Sequence, residues 1–143
     1  MIVLCLGGSA ITIRWFMKRQ DESKLAFYSN LPFILPAAVA FYKSLPLYGA
    51  LILLATTVSL AHHWYEVWVV KITDQFLALS VIAANLYVLY LSGFRQPHFA
   101  LALLWVGIAF YFFFTGKGEK YDLYHALWHI SSVVITLLCV VAY

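Results

Sequence analysis

Long apolar runs alternate with short polar interruptions along this chain, and the lengths of the runs carry the first inference. A helix needs about 20 residues to cross the hydrocarbon of a bilayer. Four runs reach that scale: Leu45 to Val70, Ile72 to Ser92, Pro97 to Thr115 and Tyr121 to Val141, with breaks at Lys71, at SGFRQ and at GKGEK. A fifth, Leu25 to Tyr42, contains Pro32 and Pro36. Those prolines predict a kink, because proline removes an N–H from the helical ladder and crowds the preceding turn. Met1 to Met17 is a sixth run, shortened by Arg14. It has no basic residue ahead of it and no small-residue cleavage site before KRQDESK, so it reads as an uncleaved first helix rather than a signal peptide. The many β-branched residues sit in runs too long for strands. No linker, low-complexity tract or internal repeat interrupts the pattern. The expectation is therefore all-α: a single domain over residues 1–143, folded as a polytopic transmembrane helix bundle of five to six spans.

Composition fixes the solvent. At 64% hydrophobic and 10% charged residues, the chain has more apolar surface than a soluble core of 143 residues could hide. A mean hydropathy of +0.88 says the same, and the excess must face lipid, as in an integral, multi-pass membrane protein. The net charge of +3 contains no run of like charge, which excludes a nucleic-acid surface. Its placement says more than its size. If six helices alternate across the bilayer, Arg14, Lys18, Arg19, Lys24, Lys71, Lys117 and Lys120 fall on one side and only Lys43 and Arg95 on the other. By the positive-inside rule the first side is cytoplasmic, and both chain ends lie opposite. Cys5 and Cys139 sit in apolar stretches with no ligand-like spacing, which suits buried hydrophobes and leaves a disulfide between them open.

Polar residues inside the spans carry the chemistry. In the last run Asp122, His125, His129, Ser132 and Thr136 recur at steps of three and four, one continuous stripe on a helix of 3.6 residues per turn. In the Leu45 to Val70 run Thr56, Ser59, His63 and Glu66 follow the same rhythm and end near the side where the last helix begins. Asp74 starts the next run, with Asn85 three turns further on. Ser59, His63, Asp74, His125 and His129 are thereby brought to one depth and one leaflet. A carboxylate at bilayer depth costs about 2.5–3.5 kcal/mol on insertion scales, so Asp74 calls for a partner, a polar cavity or the surface. Two imidazoles one turn apart on a rigid helix point at a single ion, and a third from a neighbouring helix leaves one coordination position open. An open position marks a catalytic zinc, which lowers the pKa of its water to about 7. Asp74 would take that water's proton, and Ser59 would orient the water or a substrate carbonyl.

Each residue also has a structural reading. An i, i+4 histidine pair can be an interhelical hydrogen-bonding pair, Asp74 can sit in the headgroup region beside Lys71, and Ser59 can bond back to the carbonyl of residue 55. Glu66 and Asp122 suit solvated helix ends or acceptors for an imidazole N–H. His62, about 100° around the helix from His63, and His98 suit the membrane interface. Trp64, Tyr65, Trp68, Tyr121 and Tyr124 suit an aromatic belt. Two other classes use the same residues. A membrane haem carrier would take His63 or His62 with His129 or His125 as axial ligands. A structural subunit would use the polar stripes as glue between helices.

The set Ser59-x3-His63, Asp74 eleven residues after His63, and His125-x3-His129 resembles the signature of the CREST superfamily of membrane hydrolases. The nearest likeness is to alkaline ceramidases, whose last helix carries a segment similar to His125-Ala126-Leu127-Trp128-His129 and whose first helix starts with a stretch similar to AFYSNLPFILP at 26–36. The resemblance covers residues 25–143. It implies a reduced form of the seven-helix architecture, zinc bound by His63, His125 and His129, and Ser59 and Asp74 acting on the water and the oxyanion. With two helices fewer, the last helix keeps its direction. The acidic, Trp-rich segment that looks like a calcium site in those relatives has no counterpart in MIVLCLGGSAITIRWFMKRQ, so calcium regulation is not implied. The expected function is a zinc-dependent intramembrane hydrolase of an amide or ester bond in a ceramide-like or other acyl lipid. A chain this short also makes a homo-oligomer plausible, although no small-x3-small motif marks an interface.

Overall fold

The computed structural model describes residues 24–143 apart from Glu66. Residues 1–23, and with them the Met1 to Met17 helix, Cys5, Arg14, Lys18 and Arg19, lie outside the described residues, as does the expected role of Glu66. Within them the chain runs through α1 (Lys24–Asn30), α2 (Ile34–Tyr42), α3 (Pro46–Tyr65), α4 (Trp68–Leu91), α5 (His98–Thr115) and α6 (Tyr121–Ala142), with no strand among the described residues. Taking α1 with α2, and α6 with the turn before it, five helices are long and apolar enough to cross a membrane. The fold is an all-α polytopic bundle.

Proline breaks the first span where the sequence predicts. Pro32 has no N–H to offer the carbonyl four residues back, and a single 3-10 turn, Leu31–Phe33, separates α1 from α2. The break sends the side chains of Ser29 and Asn30 back to the Ala26 carbonyl, at 2.8 and 2.9 Å. Two other breaks are Schellman closures. After α4, Gly93 takes φ +65°, its N–H reaches the Tyr90 carbonyl and the Phe94 N–H reaches Leu89. After α2, Ser44 adopts the same left-handed conformation and Pro46 opens α3 at its first position. Gly116 closes α5, and a Cβ there would stand 2.9 Å from both the Phe112 carbonyl oxygen and Tyr124 Cβ, so this turn admits only glycine without a shift of α6.

One expected boundary is corrected. Lys71 is not a break: α3 ends at Tyr65, the extended Val67 (ψ 129°) caps α4, and Lys71 donates its N–H to the Val67 carbonyl inside that helix. Lys71 has an aliphatic stem long enough to reach the interface from within a helix, so its charge does not end the span. Asp74 accordingly lies in the second turn of α4 rather than at its start.

The bundle is packed unequally along its length. At one end Ala37, Ala40, Tyr48, Ile52, Val88, Leu89, Cys139 and Val140 form a buried apolar core, and Lys43 donates to the Val141 carbonyl at the C-terminus of α6. Asn85 bridges three helices there: it accepts from the Tyr48 hydroxyl and donates to Thr136 Oγ1 at 3.2 Å. Tyr48→Phe leaves that buried carboxamide oxygen without its donor. Reversible unfolding in mixed micelles is expected to register a loss of about 1–2 kcal/mol, and an unchanged midpoint would show the bridge to be idle. At the other end the buried positions turn polar: Ser29, Asn30, Ser59 and His129 are each under 10% exposed. α5 packs chiefly on α6, while α4 packs on α3 and α6.

Candidate metal centre

The polar end is assembled by helix direction. α3 arrives with His62 and His63 in its last turn, α4 departs with Asp74 in its second turn, and α6 begins with His125 and His129 one turn apart. α1 lies against α3 and α6 and brings Ser29 and Asn30 to the same depth. Lys24, Lys71, Lys117 and Lys120 belong to this end of the bundle, and Lys43 and Arg95 to the other, which is the part of the expected charge asymmetry that falls on described residues.

His63, His125 and His129 converge. One nitrogen from each lies within 4.8 Å of the other two. Their ring centroids stand 5.2 Å (63 to 125), 5.3 Å (63 to 129) and 4.5 Å (125 to 129) apart, with the planes steeply inclined rather than stacked. A tetrahedral zinc with nitrogens at about 2.0–2.1 Å sets its ligands about 3.4 Å apart, a separation these rings reach by small rotations. The burial supports the fit. His129 is 5% exposed, and His63 Nε2 is buried with no hydrogen-bond partner. An orphaned polar nitrogen inside a bundle is costly unless something binds it. At His129 the division of labour is visible: Nδ1 faces α1, with Ser29 Oγ and Asn30 Nδ2 each at 3.0 Å and the Ala26 carbonyl at 3.3 Å, which leaves Nε2 for the cluster.

Ser59 and Asp74 meet each other rather than the imidazoles. Ser59 sits one turn before His63 on α3, is buried, and neighbours the half-buried Asp74 side chain across the α3–α4 contact. The carboxylate is not among the converging ligand atoms. Asp74 thus has a polar neighbour within the bundle, and the two side chains share the end of the bundle that carries the three histidines.

Tyr121 and His62 come closer than the sequence reading placed them, and Trp128 joins them. Tyr121 is half exposed, yet its ring stacks on His125 at 5.3 Å and 25°. Trp128 packs beside both α6 histidines, at 5.4 and 5.2 Å, and on Phe113 of α5. His62 does not point wholly away: its ring centroid is 5.1 Å from that of His63, and its buried Nδ1 has no partner. A shared helix turn brings it there, because adjacent residues on the last turn of α3 both border the start of α6. Trp64, Tyr65 and Trp68 are well exposed, as an aromatic belt requires. His98 opens α5 at the far end, remote in sequence position from the cluster.

Fold and site define a polytopic membrane bundle in which three histidines lie close enough to hold a metal ion. No family model, curated protein or solved structure matches the chain.

Proposed function

We propose that the protein is an intramembrane zinc hydrolase that cleaves an amide or ester bond of an acyl lipid. The observation that carries this reading is the convergence of three imidazole nitrogens within 4.8 Å, at the end of the bundle to which Ser59 and Asp74 also belong. The ligand set is neutral and nitrogen-only, which suits zinc over calcium or magnesium, whose ligands are oxygens. A facial trio around one point also suits a small cation better than a haem. Two axial haem ligands stand on opposite faces of a flat ring, and a third imidazole would have no place.

When bound, zinc acts as a Lewis acid toward a carbonyl and makes a water more acidic. The chain's own residues do the rest. Asp74 accepts a proton from the attacking water as its oxygen bonds to the carbonyl carbon, then returns that proton to the departing nitrogen or oxygen as the carbon–heteroatom bond breaks. Ser59 gives its single hydroxyl hydrogen to the Asp74 carboxylate in the resting state and, once Asp74 has taken the proton, turns that hydrogen to the developing oxyanion. Products are a fatty acid and an amine or alcohol.

The test uses purified protein in liposomes that contain a fluorescent N-acyl sphingoid lipid and, separately, an acyl ester. Fatty-acid release that stops after chelation and returns with added zinc supports the proposal. No release from either lipid by zinc-loaded protein counts against it.

A further inference from the structure

The polar turn of α1 has no task in the chemistry above, yet it surrounds one nitrogen of one ligand. Ser29 is 7% exposed and Asn30 3%, and both reach His129 Nδ1 at 3.0 Å. Pro32 makes this possible, since the helix cannot continue through it and the preceding side chains fold back over Ala26. A neutral imidazole that ligates through Nε2 carries its single proton on Nδ1, and that proton needs an acceptor. The Ser29 hydroxyl already spends its own hydrogen on the Ala26 carbonyl at 2.8 Å, so a lone pair is left toward the ring. Asn30 presents Nδ2, a donor, to the same nitrogen.

We propose that Ser29 is a positioning residue: the relay His129 Nδ1–H to Ser29 Oγ–H to Ala26 carbonyl fixes the ring and its tautomer, so that Nε2 faces His63 and His125 as a bare lone pair. The proposal rests on the metal-binding reading above. Asn30 competes with the relay, because its amide donor favours the opposite tautomer, with the proton on Nε2. A carboxylate in its place can only accept, and would form the carboxylate–histidine pair that supports many zinc sites.

Competition with a chromophoric chelator measures zinc affinity in detergent, with helicity and elution volume as folding controls. Ser29→Ala is expected to weaken zinc binding about 10- to 100-fold. Adding Asn30→Asp to Ser29→Ala is expected to recover at least about a tenfold share of that loss, which a purely packing role for this turn would not produce. In wild-type protein labelled with 15N-histidine, the zinc-loaded spectrum is expected to place the His129 proton on Nδ1. Three results would overturn the proposal: wild-type affinity in Ser29→Ala, a weakened Ser29→Ala that Asn30→Asp leaves unimproved, or a zinc-loaded His129 protonated on Nε2. Wild-type protein that binds no zinc would remove the metal reading itself, and the relay with it, whereas zinc-binding wild type with an indifferent Ser29 removes the relay alone.

Discussion

His125→Ala is expected to empty the metal centre. The imidazole of His125 is one of three that meet within 4.8 Å, and no carboxylate of the described residues is among the converging ligand atoms. Losing one of three nitrogens leaves two neutral ligands, and water must fill the gap. Loss of a partner outside the ligand set costs about 10- to 100-fold in affinity, so loss of a ligand is expected to exceed about 100-fold. Wild type purified in zinc-containing buffer and desalted is expected to retain about one equivalent, and the variant less than about a tenth. The cavity left by the truncation lies at the polar end, away from the apolar core of α2, α3, α4 and α6, so helicity is expected to persist. A variant that retains a full equivalent would place the ion elsewhere.

Asp74→Asn is expected to separate binding from chemistry. Asparagine has nearly the same shape and still presents an oxygen to the Ser59 hydroxyl, so the α3–α4 contact survives. It cannot take a proton from water. General acid–base catalysis contributes about 10²- to 10⁴-fold, and loss of turnover on that scale is expected with zinc content unchanged. At about 1.4 kcal/mol per tenfold, the barrier rises by about 3–5 kcal/mol. Turnover within about threefold of wild type would strip Asp74 of the role and leave it a structural partner of Ser59.

Much of the fold was legible because the bilayer imposes a length. The runs from Leu25, Leu45, Ile72, Pro97 and Tyr121 each become a helix or a proline-broken pair, with ends that move by a few residues. The boundary between α3 and α4 was the weak point. HHWYEVWVVK is amphipathic and interfacial throughout, and a lysine inside a helix can carry its charge to the surface, so Lys71 was a misleading marker. His63, His125 and His129 were legible because periodicity alone aligns i and i+4 on a helix, and helix direction alone decides which ends meet. Ser29 and Asn30 were visible only as a Ser-Asn pair ahead of a proline in an apolar run. Their partner lies 100 and 99 residues away, and nothing local encodes which helix a broken turn will face. The approach of His62 was missed for a related reason: a 100° step on an ideal helix says where a side chain starts, not where its long ring ends.

The most direct measurement is X-ray absorption at the zinc edge on protein loaded with one equivalent in detergent, compared with His125→Ala. The expected result is four-coordinate zinc with three imidazoles at about 2.0–2.1 Å and one further light ligand, lost in the variant. A zinc coordinated by oxygens without imidazole, or a spectrum indifferent to His125→Ala, would contradict it.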